Sequence, residues 1–137
     1  MSNDEFRIMN NEVKVNDEVK VRKKFDLEDR LIDFSVLIIK TVENLPTTRT
    51  GNRLGSQLLR SGTSPALNYG EAQSAESKRD FIHKFGIILK ELRETLICLK
   101  ILKRVSYIKP DDSLNECNEL IAIFNKSIIT ARKNTIS

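Results

Sequence analysis

The sequence predicts an all-α protein, an antiparallel up-down four-helix bundle with a kinked second helix. Three observations carry that prediction. Apolar residues recur every three or four positions through four long segments, the spacing that lines one face of an α-helix. The 137 residues contain only 5 Gly and 3 Pro, too few for the many turns of an all-β domain. The segments are joined by short polar connections, which favour consecutive helices as antiparallel neighbours.

The first 24 residues carry no helical stripe. They contain the near-repeat EVKV at Glu12 to Val15 and again at Glu18 to Val21. Val13, Val15, Val19 and Val21 could line an edge strand on assembly. So few apolar groups cannot offset the entropy of ordering the chain, and the reading is a flexible tail over 1–24 followed by a single bundle domain over 25–137.

Leu27, Leu31, Phe34, Ile38, Val42 and Leu45 then step by four, three, four, four and three. Asp26 caps the start, Glu28 and Asp29 put negative charge against the unpaired amides of the first turn, and Pro46 ends the segment. The second helix is predicted from Thr48–Thr50 to about Ser74. It carries Leu54, Leu58 and Leu59, after which its inner face narrows to Ser61, Gly62, Ser64 and Ala66. Pro65 removes an amide donor and crowds the carbonyl four residues back, so a kink or break is expected near Ser61 to Ser64.

Ser77 with Asp80 three residues on marks the start of a third helix. Its main stripe is Phe81, Phe85, Ile88, Leu92, Leu99 and Leu102, flanked by Ile82, Leu89 and Leu96. After a connector containing Pro110, Asp111 and Asp112, Ser113 and Glu116 read as a second capping box. Leu114, Cys117, Ile121, Phe124, Ile128 and Ala131 give the fourth helix its inner face.

Several stretches of this pattern are specific in their wording: SQLLRSGTS at Ser56 to Ser64, Asn68 and Glu71 within NYGEA, SKRDFIHKF at Ser77 to Phe85, and KELRETL at Lys90 to Leu96. On these the chain resembles, from about Phe25 to Arg132, the four-helix bundle proteins encoded in intervening sequences of bacterial 23S ribosomal RNA genes. Pro65 stands where that family usually has an apolar residue, and Ala72 where glycine is common. The family is similar in fold to the accessory protein of diversity-generating retroelements. The resemblance implies a homopentamer with a basic surface that contacts nucleic acid, and it brings no enzymatic activity with it.

Charge points the same way. The net charge is +4, yet Ser77 to Lys109 alone holds nine cations against Asp80, Glu91 and Glu94, so the rest of the chain is slightly acidic. A basic helix can neutralise phosphates with release of counterions. The candidate nucleic-acid contacts are Lys78, Arg79, Lys84, Lys100, Lys103, Arg104 and Lys109. The bland alternative is a solvated face, with Lys100, Lys103, Arg104 and Lys109 near the helix C-terminus complementing the dipole without any ligand. Without Trp, and with Tyr69 and Tyr107 as the only tyrosines, backbone or shape contact with structured RNA or duplex DNA is favoured over base stacking.

Arg60, Asn68, Glu71 and Arg93 are candidates for a structural polar network that fixes helix register, preferred over a general-base role for Glu71 because no second catalytic group accompanies it. Arg79 and His83, four apart, resemble the Arg and His pair of helical HEPN-type ribonucleases, but only three residues separate them where that family has four to six. Cys98 and Cys117 lack CxxC spacing and read as small core side chains.

No cofactor or metal is expected. The longest apolar run, Leu120 to Phe124, is far short of a membrane span, and Asp4 and Glu5 interrupt any signal-like start, so a cytoplasmic protein is predicted. The functional expectation is a non-catalytic, self-assembling bundle that binds RNA or DNA. The alternative is an oligomeric scaffold for a protein partner such as a nucleic-acid enzyme.

Overall fold

The computed structural model describes residues 26–136, and the tail predicted over 1–24 lies outside them. Four helices make up the fold: α1 (Leu27–Glu43), α2 (Arg49–Ala72), α3 (Lys78–Arg104) and α4 (Ser113–Ile136). α1 packs on α2, α2 on α3 and α3 on α4, while α4 meets α1 along a shorter stretch. The contacts between neighbours occur in reversed sequence order. Along α2 and α3, the Leu54 carbonyl meets Cys98, Ser61 meets Thr95 and Glu71 meets Lys84.

The caps follow the local chemistry. The Asp26 carboxylate accepts from the Asp29 amide at 3.2 Å, the Thr48 hydroxyl from Gly51 and the Ser77 hydroxyl from Asp80, both at 3.0 Å. Each satisfies one of the amides that a helix start leaves without an intrahelical partner. α4 begins differently from its predicted capping box. The Ser113 amide and buried hydroxyl both turn to the Asp111 carboxylate. Glu116 instead reaches across to α1, where Arg30 donates to its two oxygens at 2.9 and 2.7 Å. A guanidinium that matches both carboxylate oxygens outcompetes a lone backbone amide.

The core contains Leu31, Phe34, Ile38, Leu58, Ile88, Leu92, Leu99, Leu102, Leu120 and Phe124, all essentially inaccessible to solvent. At the end where α3 begins, Phe85 packs edge-on against Phe124 and beside Phe81 and Tyr69, with ring centroids 5.0, 4.2 and 6.0 Å apart.

α2 does not break at Pro65: Arg49–Ala72 is one continuous helix with the proline ring buried inside it. It ends at Ala72, slightly before the predicted Ser74. Its small residues let α1 approach. A Cβ on Gly62 would stand 2.7 Å from Ile38 Cγ2, and one on Gly51 would overlap the Pro46 carbonyl.

Candidate nucleic-acid interface

α3 carries its cations at both ends. Lys78 and Arg79 lie exposed in its first turn, Lys100, Lys103 and Arg104 lie exposed toward its end, and Lys109 follows in the connector. At about 1.5 Å rise per residue, Arg79 and Arg104 stand roughly 38 Å apart. Six of the seven candidates therefore form two groups, not one surface. Lys84 belongs to neither, because its ammonium lies 3.3 Å from the Glu71 carboxylate. Among the described residues none of the other six has an ion-pair partner.

The group at the end of α3 is shaped by a helix-terminating turn. Ser106 adopts the left-handed conformation at φ 61°. Its amide donates to the Lys103 carbonyl at 3.1 Å and the Tyr107 amide donates to Leu102 at 2.9 Å, the paired bonds of a Schellman motif. The chain thus folds back beside the end of α1. There Lys40, Thr41, Asn44, Tyr107, Lys109 and Asp111 line an open groove of about 470 Å³. Lys40 is a cation that the sequence reading missed. Its only signal was its place in the last turn of α1, which the packing brings beside the connector that follows α3.

The proposed polar network divides into separate contacts. Arg60 donates to Glu91 at 3.0 Å and to Glu94 at 2.7 Å, and the Glu94 hydrogen bond, with the Glu91 charge next, raises its already high pKa. Asn68 donates to the carbonyl and hydroxyl oxygens of Ser64 within its own helix. Glu71 is exposed and holds Lys84, and Arg93 lies exposed on the outer face of α3. Arg60 and Glu71 are therefore not joined, and Arg93 stands outside both contacts.

Arg79 and His83 are both exposed. Cys98 and Cys117 are buried free thiols, and burial pushes the Cys117 thiol up to about 12. A thiol that resists ionisation is a poor nucleophile. Among the described residues no group of three or more His, Cys, Asp or Glu is placed to hold a metal ion, and no helix is long and apolar enough to cross a membrane.

Comparison with known proteins decides the family. The family model described as 23S rRNA-intervening sequence protein matches residues 23–128. The chain belongs to this family. A crystal structure of a protein of unknown function from the S23 ribosomal protein family of Bacteroides thetaiotaomicron is similar to it, with a TM-score of 0.69 and 34% sequence identity over 74% of this chain and 96% of that one. Curated proteins give no match.

Proposed function

We propose that the protein is a non-catalytic bundle that assembles with copies of itself and holds nucleic acid by its phosphates through the cations at the end of α3. The observation that carries this reading is that Lys100, Lys103 and Arg104 of α3 and Lys109 of the connector are exposed and without carboxylate partners among the described residues, with Lys109 sharing a groove with Lys40 of α1. Lys40, Lys100, Lys103 and Arg104 also sit toward the C-terminal ends of α1 and α3, where positive charge is locally favourable. That accounts for one cation in a last turn more readily than for five around one end. In a closed assembly of five copies, the groups would repeat around one axis and their modest individual affinities would combine.

The family name refers to 23S rRNA and the neighbour's to a ribosomal protein family, so structured RNA is the first ligand to try. Fluorescence anisotropy with a labelled RNA hairpin and a DNA duplex, across a salt series, tests the reading. Each phosphate contact contributes about 0.9 to the slope of log K against log salt on duplex DNA. Changing Lys100, Lys103 and Lys109 to Gln should weaken binding and flatten the slope by roughly 2 to 3. Absence of binding at low salt, or binding indifferent to these changes, would overturn it in favour of a scaffold for a protein partner.

A further inference from the structure

Two helices on different sides of the bundle present apolar ladders to solvent. On α1 the ladder is Ile32, Val36 and Ile39, exposed by 47%, 43% and 38%. Exposed carboxylates stand beyond both of its ends, Glu28 four residues before and Glu43 four residues after. On α3 the ladder is Ile97 and Ile101, exposed by 55% and 44%, with exposed Lys90 and Arg93 before it and Arg104 after it. One face reads acidic, apolar, acidic and the other basic, apolar, basic.

Their lengths agree as well. Glu28 to Glu43 spans about 22 Å of helix and Lys90 to Arg104 about 21 Å at 1.5 Å per residue. The α3 ladder is also concave: with Gly86 and Leu54 it lines an open groove of about 600 Å³, a shape that receives a ridge of side chains. Glu28, Glu43, Lys90, Arg93 and Arg104 have no ion-pair partner among the described residues. Asp33 and Lys40 flank the α1 ladder with opposite signs, and Glu94 beside the α3 ladder is already bonded to Arg60.

We propose that the α3 ladder of one copy docks on the α1 ladder of a second copy. This rests on the self-assembly half of the reading above and names the surfaces that carry it. The two mating faces differ, so each copy offers one of each and the contact is head-to-tail, the type that generates rings when the rotation closes. Matching charges at both ends fix the register, while the isoleucines and valine supply the buried area. Arg104 then serves the contact, and Lys100, Lys103 and Lys109 remain to meet phosphates.

Charge reversal tests the pairing. One variant of the full chain carries Lys90→Glu, Arg93→Glu and Arg104→Glu; the other carries Glu28→Lys and Glu43→Lys. Native mass spectrometry without nucleic acid should find an oligomer for the unmodified protein, monomers for each variant alone, and species holding both variants when the two are mixed, since contacts between unlike variants pair opposite signs, although a ring of five cannot alternate them throughout. A variant that keeps the unmodified oligomer by itself overturns the pairing and leaves self-assembly standing. A monomeric unmodified protein overturns both, while anisotropy with RNA judges the nucleic-acid reading separately. Should circular dichroism show a variant unfolded, Val36→Cys combined in turn with Ile97→Cys and Ile101→Cys decides: disulfide-linked multimers under mild oxidation support the contact, and monomers from both pairs reject it.

Discussion

The hydroxyls of Ser61 on α2 and Thr95 on α3 share a hydrogen bond of 2.9 Å between two residues that solvent does not reach. Thr95 Oγ1 also lies 2.8 Å from the Glu91 carbonyl. The pair sits beside the Arg60–Glu91 contact, so the middle of the α2–α3 seam is polar within an otherwise apolar core. Such a pair fixes register, because sliding either helix by one turn parts the two hydroxyls and leaves Ser61 without its buried partner on α3.

Thr95→Val keeps the shape of the side chain but leaves Ser61 without its partner on α3. The expected loss is about 1–3 kcal/mol of stability, the cost of a stranded buried group. Ser61→Ala combined with Thr95→Val should cost less than the two single changes added together, because the double variant strands neither hydroxyl. Urea denaturation of the four proteins measures this, and strict additivity would show that the two hydroxyls do not interact.

The contact of Gly62 with Ile38 makes a second prediction. Gly62→Ala would push a methyl carbon to within 2.7 Å of a branched side chain locked in the core, so α1 and α2 must move apart. Overpacking of this kind costs about 1–3 kcal/mol. Gly70, on the same helix, has nothing within 4 Å of an added Cβ. Gly70→Ala should stabilise by about 0.5–1 kcal/mol through helix propensity. Opposite shifts in melting temperature for the two variants are the expected outcome.

These examples show what the sequence reveals and what it leaves out. Leu31, Phe34 and Ile38, or Phe85, Ile88 and Leu92, were legible because burial repeats with the helix period. Leu120 was missed beside the chosen Ile121, since two adjacent apolar residues give periodicity little to choose between; Leu120 is fully buried and Ile121 only in part. Glu116 was read as a cap because the local pattern fits one, while its partner Arg30 lies 86 residues away. The cations of α3 were legible as a surplus of charge, but their division between two ends needed the length of the helix. The exposed Ile97 and Ile101 were hidden in a helix rich in apolar residues, where only packing tells an inward from an outward one.

The Cys117 thiol predicts a response to alkaline pH. In the unfolded chain it ionises near its ordinary 9.0; in the fold, burial defers ionisation to about 12. Below pH 9 both states keep the proton and the thiol favours neither. Between pH 9 and 12 the unfolded state releases the proton and the folded state holds it, so stability falls as pH rises, by up to about 1.4 kcal/mol per pH unit. Cys117→Ala should therefore lose less stability between pH 8 and pH 11 than the unmodified protein does. Equal losses in denaturant titrations at the two pH values would count against this account. At pH 8 both native cysteines should also resist thiol reagents until the protein unfolds.

Ser106 supplies the last prediction. Its φ of 61° closes the Schellman motif after α3, and a side chain in that conformation crowds the backbone at a cost of about 1–2 kcal/mol that glycine avoids. Ser106→Gly gives back part of this through greater freedom of the unfolded chain, leaving an expected gain of about 0.5–1 kcal/mol. Ser106→Val should destabilise by more than that, because branching at Cβ makes the left-handed conformation worse. Since the same turn carries the chain from Arg104 to Lys109, the two variants also probe the nucleic-acid reading. Ser106→Gly, by preserving the turn, should leave RNA affinity unchanged within about twofold, whereas Ser106→Val should lower affinity and stability together. Anisotropy at low salt beside thermal melts measures both, and a Ser106→Val protein that is destabilised yet binds RNA at full affinity would detach Lys109 from the interface.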